Sequence, residues 1–129
     1  MVRYAYNRQV TPPAPFVHLL VRADQAESTG VEVPALIDTG ADLTVIPGRL
    51  VDDLGLIPFD SVSAIGFGGQ LLTLPTYMVV VCIRGLNPIT IKVLASYDEH
   101  YSLLGRDVLN RFRLSLDGPN LAFDLHEPS

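Results

Sequence analysis

The chain has almost none of the features that would stabilise or locate it by simple means. It has one cysteine, Cys82, and no tryptophan, so neither an internal disulfide framework nor a four-cysteine zinc site is possible. A single lysine, Lys92, stands among nine basic residues against fourteen acidic ones, giving a net charge of −5. That balance argues against a nucleic-acid partner, which calls for a concentrated basic face. No apolar run approaches the ~20 residues needed to span a bilayer, and Met1 to Arg8 lacks the apolar core of a secretory signal. The expectation is a cytoplasmic protein with no membrane partner. Charged residues are only 18% of the chain while apolar residues reach 48%, so a disordered chain is excluded. A single domain is expected from 129 residues. Its apolar excess means either a greasy surface or one covered by a partner.

What is present reads as strands. Residues 1–15 are polar and basic, then proline-rich (Thr11-Pro12-Pro13-Ala14-Pro15), and predict an extended N-terminal arm outside the domain of residues 16–129. From Phe16, apolar Val17, Leu19 and Val21 alternate along a strand. A polar turn follows, and the returning strand, Val31 to Ile37, ends at Asp38. Leu43 to Ile46 reads as a short strand and Pro47 to Leu54 as a brief helix stopped by Gly55. A hairpin with a glycine tip spans Ser61 to Thr73, and strands follow at Tyr77–Ile83 and Ile89–Ala95. Cys82, within the apolar run Tyr77 to Ile83, reads as a core thiol. Val108, Leu109 and Phe112 have the spacing of a two-turn helix, and Leu114 to Leu125 closes the chain as a third hairpin around Asp117-Gly118-Pro119-Asn120. The whole predicts an all-β fold, mainly antiparallel and closed or sandwich-like, with one or two short helices.

Chemistry concentrates at Asp38-Thr39-Gly40-Ala41-Asp42. A carboxylate ending an apolar strand is costly unless N–H groups or a hydroxyl hold it, and the residues just after Asp38 can supply both. Taken alone, the triplet is also an ordinary Asx turn closing a hairpin. It is followed, however, by the glycine-tipped hairpin and then by Leu103-Leu104-Gly105-Arg106-Asp107 opening a helix.

In that order these residues resemble the retroviral-type aspartic proteases, or retropepsins, and their cellular and bacterial relatives, over about Val17 to Phe112. The resemblance implies a closed antiparallel barrel of the acid-protease type, homodimeric, and an aspartic endopeptidase. It makes Asp38, Thr39 and Gly40 the catalytic loop and Ile65, Gly66, Phe67 and Gly68 the flap over the substrate. Gly40 and Asp42 become backbone and cleft-end contacts for an extended peptide or protein substrate, and Asp42 pairs structurally with Arg106. Aspartic proteolysis needs two carboxylates sharing a proton, one acting as base on water and the other as acid on the scissile carbonyl. The chain has one Asp-Thr-Gly and no Asp-Ser-Gly, and Asp60, Asp117 and Asp124 lack the surrounding loop. The second Asp38 is therefore expected from a second copy. Leu36, Ile46, Ile65, Phe67 and Leu103 are candidate pocket walls. The C-terminal hairpin, Arg113 to Leu125, is longer than the single closing strand of compact viral enzymes, so the dimer sheet is expected to be built differently. The competing reading is a peptide-binding or dimerisation module on the same fold with little turnover.

No cofactor is called for. Gly66-Phe67-Gly68-Gly69 lacks the rest of a nucleotide-binding loop. Asp98-Glu99-His100 has no second histidine at metal-ligand spacing, and no Gly-x-Ser-x-Gly elbow exists for a serine triad.

Overall fold

The structure is a computed structural model and describes residues 2–26, 29–65 and 68–128. Six strands close a barrel in the order β2 (Phe16–Arg22), β3 (Val31–Ile37), β9 (Ser102–Leu104), β4 (Val45–Pro47), β8 (Ile89–Ser96), β7 (Tyr77–Ile83) and back to β2. Closure removes the sheet edges, and the inward-facing residues form one core. Val17, Leu19 and Val21 from β2 meet Val33 and Ala35 from β3 and Val79, Val81 and Ile83 from β7. The alternation along β2 thus puts its buried set inward, as the period of two requires.

The barrel agrees with the expected architecture and adds a detail. Four of its pairings are antiparallel, but β3–β9 and β4–β8 are parallel. Parallel neighbours come from distant parts of the chain, and β9 has only three residues, so neither leaves a local pattern. Among the described residues there are two short helices, α1 (Arg49–Asp53) and α2 (Arg106–Leu109). The second is one turn where two were expected: Phe112 N–H still bonds the Leu109 carbonyl at 3.1 Å, but β10 begins at the next residue.

Outside the barrel, a three-stranded sheet has the order β1 (Val2–Ala5), β11 (Ala122–His126), β10 (Arg113–Asp117). The expected arm therefore divides. Its first residues pair with the far end of the chain, Val2 opposite Leu125 and Tyr4 opposite Phe123, while the prolines stay in the connection to β2. Phe123 is fully buried there. Tyr4 stacks on it at 5.0 Å and Tyr6 tilts against it at 5.9 Å, contacts worth roughly 0.5–1.5 kcal/mol beyond area burial. This apolar patch, not local propensity, recruits the N-terminal segment.

Cys82 also departs from expectation. Tyr77, Val79, Val81 and Ile83 fill the inward positions of β7, so Cys82 falls on the outer face and is half-buried. It borders a shallow cleft with His18, Leu20, Glu32 and Arg84. Among the described residues, no helix is long and apolar enough to cross a membrane.

The remaining hairpin, β5 (Ser61–Ile65) with β6 (Leu71–Pro75), forms a two-stranded sheet of its own beside β8 of the barrel. Its base is clasped. Phe59 N–H bonds the Thr76 carbonyl and Thr76 N–H the Asp60 carbonyl, both at 2.8 Å. The buried Thr76 hydroxyl donates to the Asp60 carboxylate, and Lys92 of β8 lies 3.2 Å from the other carboxylate oxygen.

Candidate active site

Asp38 stands where β3 leaves the barrel, half-buried. Its N–H bonds the Leu104 carbonyl of β9 at 3.0 Å. Thr39 and Gly40 turn the chain sharply, so that Gly40 N–H points back at Asp38 Oδ1 (3.0 Å) and Ala41 N–H at the Asp38 carbonyl (3.2 Å). An N–H donated to an ionised carboxylate is among the stronger hydrogen bonds. Among the described residues, Asp38 Oδ2 has no hydrogen-bond partner.

The two motifs, sixty-odd residues apart in sequence, are one object in space. Arg106 N–H bonds the Ala41 carbonyl at 2.9 Å. The Arg106 guanidinium donates to the Thr39 carbonyl at 2.7 Å and also to Asp42 Oδ1. Both Asp42 and Arg106 are substantially exposed, 84% and 43% at their side chains, so as an ion pair alone they contribute at most about 1 kcal/mol. Their effect is geometric, because the fork fixes the loop on both sides of Gly40. Gly105 is demanded by contact: a Cβ there would lie 2.8 Å from the Leu43 carbonyl carbon and 3.0 Å from the Ala41 oxygen, all backbone.

A second layer was not read from the sequence. Thr44 is fully buried. Its hydroxyl donates to Asp107 Oδ1 at 2.7 Å and accepts from Gly105 N–H at 3.0 Å, while its own N–H bonds Asp107 Oδ2 at 3.0 Å. Asp107 Oδ1 also accepts Val108 N–H at 2.9 Å. Thr44 thus ties the end of the Asp38 loop to the start of α2. Reading it as a strand residue missed this; the signal was a threonine amid apolar neighbours, since a buried hydroxyl requires partners.

Of the candidate substrate contacts, Gly40, Asp42 and Ile65 border one cleft of about 750 Å³, formed between the Asp38 loop and β5 together with Leu94 of β8. Gly68 is exposed in the turn, with φ +86°. Gly66 and Phe67 lie outside the described residues. Of the described candidate walls only Ile65, 77% exposed, is placed there, whereas Ile46 is fully buried in the core. Leu36 and Leu103 sit half-buried on β3 and β9, outside that cleft. The other acids are engaged elsewhere: Asp60 at the hairpin base, Asp117 with Asn120 at 2.8 Å and Asp124 with Arg3 at 3.3 Å.

A family model described as aspartyl protease matches residues 25–108, a span holding the Asp38 loop, the hairpin and the Gly105-Arg106 junction. The chain belongs to the aspartyl protease family. As an aspartic peptidase it also shares its fold with solved retropepsins. A retropepsin-like aspartic protease from Rickettsia conorii superposes with TM-score 0.63 at 20% identity, over 96% of this chain and 88% of that one. EIAV protease, in complex with the inhibitor HBY-793, gives 0.59 at 23% identity over 83% and 92%. The simian foamy virus (mac) protease gives 0.57 at 20% identity over 74% and 92%. No curated protein matches the sequence.

Proposed function

We propose that this peptidase works as a homodimer, with Asp38 from each of two copies forming the catalytic pair. One observation carries the reading: the chain supplies a single Asp-Thr-Gly loop, and its Asp38 leaves Oδ2 unpartnered among the described residues. In the pair, one Asp38 is ionised and the other protonated, because two adjacent carboxylates cannot both hold a charge. The ionised member takes a proton from water as the water oxygen attacks the scissile carbonyl carbon. The protonated member gives its proton to the carbonyl oxygen. As the resulting diol collapses, one of its O–H protons returns to the second Asp38, the C–N bond breaks, and the proton held by the first Asp38 leaves on the amine.

An extended polypeptide is the substrate that suits the cleft, held as an added strand with alternate side chains in pockets. Gly40 and Asp42 supply contacts at its floor and end, and the β5–β6 hairpin closes over it and expels water. Ile65, Leu71 and Leu72 are exposed apolar groups on that hairpin, which fits a preference for apolar or aromatic side chains. A chain with one cysteine and no possible intrachain disulfide suits the reducing cytoplasm.

Cleavage of a peptide library should be lost in Asp38→Asn, which keeps an acceptor for Gly40 N–H and so should leave the circular dichroism spectrum unchanged. Wild-type specific activity should fall on dilution as dimers dissociate. An Asp38→Asn variant cleaving at the wild-type rate would remove the proposal.

A further inference from the structure

Strand β8 is tied to both sides of the cleft. Its Ile91 and Val93 belong to the barrel core, so Lys92 and Leu94 fall on the outer face, about 7 Å apart along the strand. Leu94 lines the cleft, and its N–H bonds the Thr44 carbonyl at 3.1 Å. Thr44 in turn ties the Asp38 loop to α2, so this end of the outer row fixes the floor. Lys92 reaches the roof: its Nζ lies 3.2 Å from Asp60 Oδ2 at the base of the β5–β6 hairpin.

That base is knotted. Thr76, fully buried, gives its hydroxyl to Asp60 Oδ1 and its N–H to the Asp60 carbonyl, and its Oγ1 accepts the Asp60 N–H at 3.3 Å. The two ends of the hairpin therefore move as one body. Asp60 spends one carboxylate oxygen on this knot and the other on Lys92, which makes it the link between hairpin and barrel strand. Farther out, Ile65 and Leu71 are 77% and 72% exposed. Apolar burial does not fix that outer part, and the contacts at the base set its angle. Lys92 is the only lysine in the chain.

We infer that Lys92 is a positioning residue for peptide binding. Through Asp60 it sets the hairpin over the cleft, in step with the Asp38 loop that the same strand holds through Thr44. This rests on the reading that the hairpin covers a bound peptide and adds what holds it there. Without the tether the hairpin samples more positions, and apparent affinity falls with the fraction of molecules in the covering one. An exposed ion pair moves such an equilibrium by at most about fivefold. The Asp38 loop keeps its bonds to Arg106 and Leu104, so turnover of bound peptide should be spared.

The test separates binding from turnover, at chain concentrations well above dimer dissociation. Lys92→Met should raise KM for an uncharged peptide about two- to fivefold, with kcat within about twofold of wild type. Lys92→Arg, which keeps the charge, should restore the wild-type KM. Adding Asp60→Asn to Lys92→Met should raise KM no further, because the two act through one contact. Hydrogen exchange gives a readout without turnover: amides of β5 and β6 should exchange faster in Lys92→Met, and those of β2 and α2 as in wild type. Lys92→Gln gives the same comparison if the Met variant aggregates. Unchanged exchange in the hairpin, whatever the KM, would overturn the tether and leave the dimeric peptidase standing. Faster exchange with an unchanged KM would also overturn the inference, and would place the fault in the reading that the hairpin covers the peptide. A wild-type protein that cleaves no peptide would remove that reading and the inference together.

Discussion

Replacing Thr44 by valine keeps the side chain's shape and β-branching and removes only the hydroxyl. Two hydrogen bonds go with it: the one given to Asp107 Oδ1 at 2.7 Å and the one accepted from Gly105 N–H at 3.0 Å. Asp107 retains Thr44 N–H and Val108 N–H, so its charge stays partnered. Gly105 is buried, and its N–H would be left with no acceptor, costing about 1–3 kcal/mol. The lost bond to a carboxylate costs about 1.5–3 kcal/mol more, and the extra methyl returns less than about 1 kcal/mol. Because neighbouring losses do not add fully, the expected destabilisation is about 2–4 kcal/mol. In urea that lowers the midpoint by roughly 1–2 M with an unchanged slope. Thr44→Ser keeps the hydroxyl and loses a methyl, so it should cost only about 1 kcal/mol. Both variants must be compared at one protein concentration, since dimerisation stabilises by mass action. A Thr44→Val protein as stable as Thr44→Ser would show that the hydroxyl does not hold the Asp38 loop to α2.

Further outcomes follow from single contacts. The Thr76 hydroxyl, aided by Lys92, holds the Asp60 carboxyl below its ordinary value of 3.8. A depressed value in the folded state means a stabilising contribution that is full above about pH 4 and is lost as pH falls below it. Melting at pH 6 and pH 3 should therefore show a smaller acid-induced drop in Asp60→Asn than in wild type; equal drops would contradict the clasp. Gly105→Ala drives a Cβ into backbone atoms of Leu43 and Ala41, so it should lower stability by about 1–3 kcal/mol and reduce activity even where the chain is folded. An alanine variant with wild-type melting and turnover would refute that close approach.

The Asp38 loop was legible because its chemistry is local: the strand, the carboxylate and the tight turn lie within a few residues. The glycine-tipped hairpin and the alternation of β2 were legible for the same reason. What escaped was set by distant parts of the chain. Strand β1 owes its place to Phe123, over a hundred residues away, and nothing in Val2 to Ala5 announces that partner. Strand β9 is three residues long and takes its identity from flanking β3 and β4. Cys82 was misplaced because a continuous apolar run conceals which residues alternate outward, and only the register of β7 against β2 and β8 decides it. Thr44 was overlooked because its partners, Gly105 and Asp107, are brought to it by the fold.

Counting active sites per chain bears most directly on the shared pair of carboxylates. Titration with a tight, hydroxyl-bearing transition-state analogue at chain concentrations well above dissociation should end at one inhibitor for every two chains, with no binding to Asp38→Asn. An endpoint of one inhibitor per chain would mean that each copy completes its own site, and the paired Asp38 carboxylates would have to be abandoned.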